Sequence, residues 1–362
     1  LPIWLLDGKN GFPEANARHY AFLLQGLAQA KVGLARRGIA FVLRRVMQSF
    51  FVIAAMVVIV FFGVNIVGDP VYMLVSPDAD QADIEAAIRR LGLDRPIWDQ
   101  YLLFLKGAAQ GNLGDSFIFG EPALKLILHH MPATLELAFS ALMLAIVIGI
   151  PLGLFSGLYP DNPISKGIMA GSILGFSLPT FWVGLMLILL FAVELGWLPS
   201  TGRGDTATIF GIETSLATWD GLRHIFLPAL NLALLKISLA IRLTRAGVRE
   251  AMSQDYVKYA RAKGISTRRI IFVHVMKNIM IPVVTVMGLE FGSLIGFSVV
   301  TETIFAWPGM GKLLIDAILQ LDRPVVVAYL MIMVLFFVVI NLVVDILYSI
   351  LDPRVRLQDQ GA

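Results

Sequence analysis

Six long apolar segments divide this chain and restrict what it can fold into. A helix needs roughly 20 apolar residues to cross the hydrocarbon core of a membrane, and each segment meets that length. Charged residues make up 15% of the chain, whereas a soluble domain carries about 25% and needs them to cover its surface. We therefore predict an all-α membrane protein with six transmembrane helices and exclude a soluble globular enzyme. The segments are Val46–Val67, Ala133–Leu158, Gly167–Leu195, Ile225–Ala246, Ile279–Val300 and Val325–Ile350.

Basic residues concentrate before the first segment, between the fourth and fifth, and after the sixth. Because Lys and Arg accumulate on the cytoplasmic side of membranes, these regions and both termini are predicted to be cytoplasmic. The predicted organisation is a cytoplasmic extension (1–45), the first helix (46–67), an external segment (68–132), a five-helix core (133–351) and a cytoplasmic tail (352–362). The extension is either an interfacial helix or a poorly ordered segment.

The residues that usually carry covalent chemistry are absent or wrongly spaced. The chain has no cysteine, and none of its five histidines lies four residues from another, which disfavours a zinc site. The segment Gly309-Met-Gly-Lys312 lacks the first glycine and the final Ser or Thr of a phosphate-binding loop. We therefore predict no catalytic residue, no metal and no bound cofactor in this chain. Membrane topology explains the basic loop without nucleic-acid binding.

Three of the predicted spans carry glycine at every fourth position. This spacing lets helix backbones approach closely in lipid. The close approach is either packing within one subunit or a sliding or dimer interface. The glycines are Gly149, Gly153 and Gly157 in the second span, Gly167, Gly171 and Gly175 in the third, and Gly288, Gly292 and Gly296 in the fifth.

The loop between the fourth and fifth spans contains a short predicted helix, residues 253–264. Ser253 can cap its start and Gly264 can end it. Apolar anchors on a fixed helix face suit docking into a groove of another protein. The Lys and Arg residues around them equally suit a helix that rests on anionic lipid. The residues that fall on one face are Tyr256, Val257 and Ala260.

The segment Asp255–Gly264 (DYVKYARAKG) resembles the coupling helix of binding-protein-dependent ABC importer permeases of the dipeptide and oligopeptide type, in the form of the first membrane subunit. Residues 258–260 depart from the Glu-Ala-Ala of the broader family, and Asn112 stands where this branch often has Asp. The likeness extends over nearly all of the chain after residue 40, through motifs that are specific in their order and spacing. They are LGLDRP (91–96), GNLGDS (111–116), SLPTF (177–181), ELGWLP (194–199), HVMKNIMIP (274–282), WPGMGKL (307–313) and DRP (322–324).

The resemblance implies a type I ABC importer permease fold with a small external segment after the first span. It implies a bacterial inner membrane location and a cargo of di- or oligopeptides or related small solutes, such as glutathione, nickel complexes or sugars. The implied partners are a second homologous permease, two ABC ATPases that hold ATP and Mg²⁺, an external substrate-binding protein and membrane lipid. The implied ATPase-coupling residues are Asp255, Tyr256, Tyr259, Ala260, Arg261, Ala262, Lys263 and Gly264.

Two charged residues lie near the middle of predicted spans, Lys236 in the fourth and Glu290 in the fifth. Charges at this depth are costly and are usually paired or face water. They either line a translocation path, where they meet substrate, or form a structural ion pair.

Two other protein classes share some of these features. A secondary transporter also carries intramembrane charges, but it usually has internal repeats, and we find none here. An intramembrane enzyme needs a convergent catalytic pair, and no histidine lies in the middle of a span. Dependence on ATP, on an ion gradient or on neither separates the three classes.

Overall fold

The computed structural model describes residues 47–63, apart from 49, and residues 80–351. The predicted extension at 1–45, the tail at 352–362 and residues 64–79 of the external segment lie outside the described residues. Contacts divide the chain into two units, Leu1–Ala55 and Met56–Ala362. Within the first unit, the described residues 47, 48 and 50–55 are helical. Apart from the first residues of the helix Phe50–Gly63, which belong to the first unit, the architecture below is that of the second unit.

The described part of the chain is predominantly helical. A small antiparallel hairpin, β1 (Ala207–Ile209) and β2 (Ile212–Thr214), was not predicted. The helices are α1 (Phe50–Gly63), α2 (Gln81–Leu91), α3 (Ile97–Ala109), α4 (Ala123–Leu158), α5 (Pro163–Ser177), α6 (Thr180–Leu187, continued by a π-helix over Ile188–Glu194), α7 (Trp219–Ser253), α8 (Asp255–Ala262), α9 (Thr267–Ile304, with a π-helix over Ile270–Val275), α10 (Met310–Leu319) and α11 (Arg323–Leu351).

Four of the described helices, α4, α7, α9 and α11, are long and apolar enough to cross a membrane. Each begins before the apolar segment that predicted it, because its first turns extend beyond the apolar run; α4, for example, begins at Ala123 rather than Ala133. The third predicted span is instead the pair α5 and α6, bent by 109°. The described α1 is shorter than a span, so the count of six stays a prediction.

The bend between α5 and α6 follows from Pro179. Proline has no backbone N–H to donate, and it forces the preceding residue out of the helical region. Leu178 accordingly has φ −81° and ψ 136°, which is extended. The sequence motif that contains Pro179, residues 177–181, therefore marks a break in the backbone that the length of the apolar segment did not reveal.

Helices α4 and α7 form the most extensive helix–helix contact in the described chain, and the first glycine stripe lies within it. A Cβ atom at Gly149 would lie 2.5 Å from the Cβ of Ala240, and one at Gly153 would lie 2.7 Å from the carbonyl oxygen of Ile241. Of the two interpretations of this stripe, packing within the subunit is confirmed. In the second stripe, no described residue beyond the helix's own neighbouring turns comes within 4 Å of the corresponding positions at Gly167 and Gly171.

A buried carboxylate, which the sequence analysis did not predict, binds the N-terminal part of α4, the end that lies away from α8. Glu302, fully buried on α9, accepts hydrogen bonds from Thr134 Oγ1 (2.8 Å), Ser298 Oγ (2.8 Å) and the backbone N–H of Lys312 (3.0 Å). A Cβ atom at Gly309 would lie 2.4 Å from Glu302. The glycines of the motif at 307–313 thus let the chain close around a buried carboxylate, which explains the motif without any phosphate ligand.

The same end of the molecule holds a second buried carboxylate, Glu136 on α4. Arg203 donates to its Oε2 at 2.6 Å, and the backbone N–H groups of Ser215 and Leu216 donate to its Oε1 at 2.6 and 2.9 Å. The hydroxyl groups of Thr214 and Ser215 donate to Oε1 as well. This carboxylate therefore fixes the loop that follows the β-hairpin onto the helical core.

Two motifs far apart in the sequence meet at this end too. Ser116, from the motif at 111–116, donates through its hydroxyl to the buried carboxylate of Asp322, from the motif at 322–324. The backbone N–H of Phe117 donates to the other oxygen of Asp322 at 3.1 Å. Asn112 accepts from the N–H of Gly114 at 2.9 Å, as an Asp side chain also can. The departure from Asp therefore leaves this turn intact.

The packing of α4 on α7 generates a prediction. Gly153→Ala should lower the melting temperature of the purified chain in detergent, because overpacking a tight contact costs about 1–3 kcal/mol. The matched control is Gly171→Ala, which adds the same methyl group where the chain has nothing within 4 Å. This control should leave the melting temperature unchanged or raise it slightly. Equal shifts for both variants would contradict the assigned contact.

Candidate coupling surface and intramembrane ion pair

The short helix α8 begins at Asp255 and not at Ser253. Ser253 is the last residue of α7, where its hydroxyl donates to the carbonyl of Glu250 at 2.7 Å. Gln254, with extended backbone, separates the two helices. The predicted capping role of Ser253 is therefore wrong, because its side chain bonds back to the helix that ends there.

The C-terminal end of α8 is fixed by backbone geometry. The N–H of Gly264 donates to the carbonyl of Arg261 at 2.9 Å, and the N–H of Ile265 donates to the carbonyl of Ala260 at 3.1 Å. These two bonds form a Schellman motif, which requires a left-handed residue after the helix. Gly264 has φ +74°, so glycine is required here for its conformation rather than for space. The prediction that Gly264 ends this helix is confirmed.

One face of α8 is buried in its own chain. Val257 and Ala260 are buried and pack in a cluster with residues of α7 and α9, including Val248, Ile270 and Ile279. Tyr256, predicted on the same face, is 37% exposed. The apolar residues that we expected as anchors for a partner therefore attach α8 to α7 and α9.

Other residues of α8, together with the two that follow it, are exposed, and we call this exposed set the coupling surface. Seven of the eight residues that the resemblance implicates lie on it, and Ala260 does not. Asp255 and Lys258 form an exposed ion pair at 2.8 Å. The ammonium group of Lys263 lies 4.5 Å from the ring centre of Tyr259, which is 63% exposed. The coupling surface consists of Asp255, Tyr256, Tyr259, Arg261, Ala262, Lys263 and Gly264.

A basic groove adjoins the coupling surface. It has a volume of about 420 Å³ and is lined by Ser266, Arg268, Arg269 and Phe272 at the start of α9. All four residues are exposed. Aromatic and cationic side chains thus continue from α8 onto α9, a composition that is typical of protein interfaces.

Lys236 and Glu290 form an ion pair between α7 and α9. The ammonium group of Lys236 also donates to Ser293 Oγ at 2.8 Å, and the Ser293 hydroxyl in turn lies 2.7 Å from Glu290 Oε2. The structure therefore brings together the two intramembrane charges that the sequence singled out.

The ion pair is not sealed inside the chain. The side chains of Lys236 and Glu290 are 13% and 27% exposed, and Phe297, whose ring centre lies 6.0 Å from the Lys236 ammonium, is 70% exposed. Further along α7, the guanidinium group of Arg242 lies 5.0 Å from the ring centre of Phe176. Charged and aromatic groups thus lie together along α7, α9 and the neighbouring α5.

Among residues 47–63 and 80–351, no group of three or more His, Asp or Glu side chains is arranged to hold a metal ion. The Lys236–Glu290 ion pair joins α7 and α9 near the middle of α7. This arrangement can bind charged or dipolar groups.

Two parts of the sequence match two related families of transport proteins. Residues 149–357 match the family described as "Binding-protein-dependent transport system inner membrane component". Residues 38–138 match the corresponding N-terminal family, "Binding-prot-dependent transport system membrane comp, N-term". The two matches cover most of the chain, including α8 and the ion pair.

Curated proteins of similar sequence are transport permeases. The Di/tripeptide transport system permease protein DppB of Pseudomonas aeruginosa is 40% identical over 320 residues, which cover 82% of this chain and 95% of that protein. The Oligopeptide transport system permease protein AppB of Bacillus subtilis is 39% identical over 319 residues, covering 88% and 99%. The Glutathione transport system permease protein GsiC of Escherichia coli is 35% identical over 317 residues, covering 87% and 98%.

A solved structure of similar shape is a chain of the inward-facing MetNI methionine ABC transporter. It is 16% identical in sequence, with a TM-score of 0.46, and the alignment covers 63% of this chain and 96% of that chain.

The Schellman motif of α8 generates a prediction. Gly264→Ala should make the amides of α8 exchange about tenfold faster with deuterium, because a left-handed Ala costs roughly 1–2 kcal/mol. The matched control is Gly120→Ala, which creates the same strain at φ +64° near the opposite end of α4. This control should leave exchange in α8 unchanged. Unaltered exchange in Gly264→Ala would contradict the assigned end of the helix.

Proposed function

The chain belongs to the binding-protein-dependent transport system inner membrane component family and is a permease subunit of an ABC importer, and from this premise we propose its cargo, its partners and its coupling site. It is not an enzyme; in ABC importers of this family, separate ATPase subunits hydrolyse ATP. The names of the similar permeases support a cargo of di- or oligopeptides, with glutathione and related small solutes as the next class.

The proposed assembly pairs this chain with a second, homologous permease, so that each contributes half of the translocation pathway. Two ATPases, which hold ATP and Mg²⁺, bind on the cytoplasmic side, and a substrate-binding protein delivers cargo on the outer side. The chain lies in the bacterial inner membrane with both termini in the cytoplasm. The basic residues of α8, α9 and the end of α7 support this orientation, because they gather at one end of the bundle.

The coupling surface is the proposed docking site of an ATPase, and this is the central claim. The observation that carries it is the division of α8 into two faces. Val257 and Ala260 hold α8 against α7 and α9, while Tyr256, Tyr259 and Lys263 face outward. A helix held in this way moves together with two spans, so a displacement of the ATPase is transmitted to the pathway as a shift between two conformations.

Lys236 and Glu290 line the proposed pathway. Support comes from their mid-span position, their partial exposure and the neighbouring exposed aromatic side chain of Phe297. A charged group that faces lipid is costly, whereas one that faces a polar conduit is not. The alternative, an ion pair that serves packing alone, predicts that the surface around it is covered by the partner permease.

The docking proposal is tested by Tyr259→Ala. Removal of an exposed aromatic anchor from an interface typically costs about 2 kcal/mol, so recovery of the ATPases with the tagged chain should fall about tenfold or more. The matched control is Phe119→Ala, which removes a similarly exposed aromatic residue near the opposite end of α4. Recovery is measured by quantitative mass spectrometry after gentle solubilisation from native membranes.

Ala260→Leu and a bulky residue at Gly264 should also lower ATPase recovery, but by an indirect route. Ala260 is buried against the chain itself, so a larger side chain displaces α8 rather than meeting the partner. Unchanged recovery in both Tyr259→Ala and Ala260→Leu would contradict the docking proposal and favour a helix that rests on lipid.

A further inference from the structure

The ion pair between Lys236 and Glu290 retains hydrogen-bonding groups that the described residues do not use. An ammonium group has three N–H donors, and those of Lys236 have two acceptors among the described residues, Glu290 Oε2 and Ser293 Oγ. Within the described part of the chain, the hydrogen bonds to the Glu290 side chain all reach Oε2, from Lys236 and Ser293. One N–H of Lys236 and one oxygen of Glu290 therefore remain for a ligand.

Both side chains are partly accessible from outside the chain. The side chains of Lys236 and Glu290 are 13% and 27% exposed, and neither has an atom among the buried polar atoms that lack a partner. A donor with positive charge and an acceptor with negative charge thus lie side by side on one surface. A ligand that fits both must carry a carboxylate and an ammonium group, or a dipole that replaces them.

We propose that Lys236 and Glu290 bind the two charged termini of a zwitterionic peptide as it passes through the importer. Lys236 binds the terminal carboxylate and Glu290 binds the terminal ammonium. The inference rests on the proposed role of these residues in the pathway, and it assigns them the recognition of substrate charge. No bond is made or broken, and no proton changes place.

Electrostatics favours a pathway that carries this ion pair over a pathway without charges. A zwitterion that leaves water loses the hydration of two charges, and this loss is large in a medium of low dielectric constant. The protein pair and the peptide are each neutral overall, so their association gives each charge a partner and adds no net charge to the membrane interior. A single fixed charge would compensate only one terminus.

The pair also limits how tightly the peptide is held. Conduction requires binding that is strong enough for entry and weak enough for release. Here, Lys236 and Glu290 compete with the peptide as partners for each other, and Ser293 remains within hydrogen-bond distance of both. Release of the peptide restores the ion pair, so the charges are compensated before, during and after transit.

The test compares two double variants in the complete importer, purified with its own ATPases, second permease and binding protein and reconstituted into proteoliposomes. The neutral variant is Lys236→Met with Glu290→Gln, and the reversed variant is Lys236→Glu with Glu290→Lys. The measurement is ATP-driven uptake of dialanine at saturating binding protein, expressed per assembled complex, with the melting temperature of each complex recorded alongside.

The relative uptake rates of the neutral and reversed variants distinguish recognition of the substrate from a role in packing alone. A charge-assisted hydrogen bond contributes roughly 1.5–3 kcal/mol, so the neutral variant should lower turnover about tenfold or more. The reversed variant should be slower still, because each terminus of a peptide presented in one orientation then meets a like charge. A pair that serves packing alone would be restored by reversal, so reversed uptake equal to or above that of the neutral variant would overturn the inference.

The ATP dependence of wild-type uptake tests the proposed function separately from the proposed recognition. Wild-type uptake that does not require ATP would refute the importer assignment, whereas ATP-dependent uptake with reversed charges tolerated refutes only the recognition of peptide termini. A second measurement covers variants that fail to assemble. Because the chain contains no cysteine, Phe297→Cys supplies a single thiol beside the intact pair.

A membrane-impermeant, water-soluble maleimide should label Phe297→Cys in the assembled importer, and dialanine with its binding protein should slow the labelling during ATP turnover. The matched control is Leu189→Cys, also an exposed apolar position but on the π-helix that follows α6. Labelling there should be insensitive to dialanine. Absence of labelling at Phe297→Cys, or labelling that dialanine does not slow, would overturn the inference.

Discussion

A charge within a membrane-spanning helix must find partners inside the protein, and this constraint organises the described part of the molecule. At one end of the bundle, two buried carboxylates have fixed partners. Glu136 pairs with Arg203, and Glu302 accepts hydrogen bonds from hydroxyl and backbone donors. Lys236 and Glu290 meet the constraint with each other near the middle of α7, and they remain partly exposed. The fully compensated charges hold the fold together, whereas the partly exposed pair is the one that we propose to meet substrate.

At the opposite end of the bundle, α8 is attached to the other helices by apolar packing. The cluster that contains Val257 and Ala260 joins α8 to both α7 and α9, the same two helices that carry Lys236 and Glu290. A force applied to the coupling surface therefore acts on the helices that hold the ion pair. The tight contact of α4 with α7 through Gly149 and Gly153 adds a third helix to this unit. The coupling surface and the ion pair thus belong to one continuous packed body, so the two proposed roles, ATPase docking and substrate recognition, are mechanically connected.

The sequence predicted features that depend on local chemistry or on the length of an apolar run. It identified four of the described spans, the end of α8 at Gly264 and the partners Lys236 and Glu290. It counted Gly167–Leu195 as one span, because the apolar segment is long enough for a straight helix, whereas the chain bends by 109° at Pro179. It missed the role of Glu302, since the donors Thr134 and Lys312 are distant in sequence and only the fold brings them together. The face of α8 was misjudged for a related reason, because an apolar stripe does not reveal whether its partner is the chain itself.

The most direct measurement of the central claim is photo-crosslinking from the coupling surface in native membranes. A benzophenone attached to Lys263→Cys, the single thiol of an otherwise cysteine-free chain, reports which molecule contacts this surface. The account predicts an adduct with an ATPase subunit, identified by mass spectrometry. Adducts with phospholipid alone, in membranes from which the intact ABC complex is recovered, would contradict it.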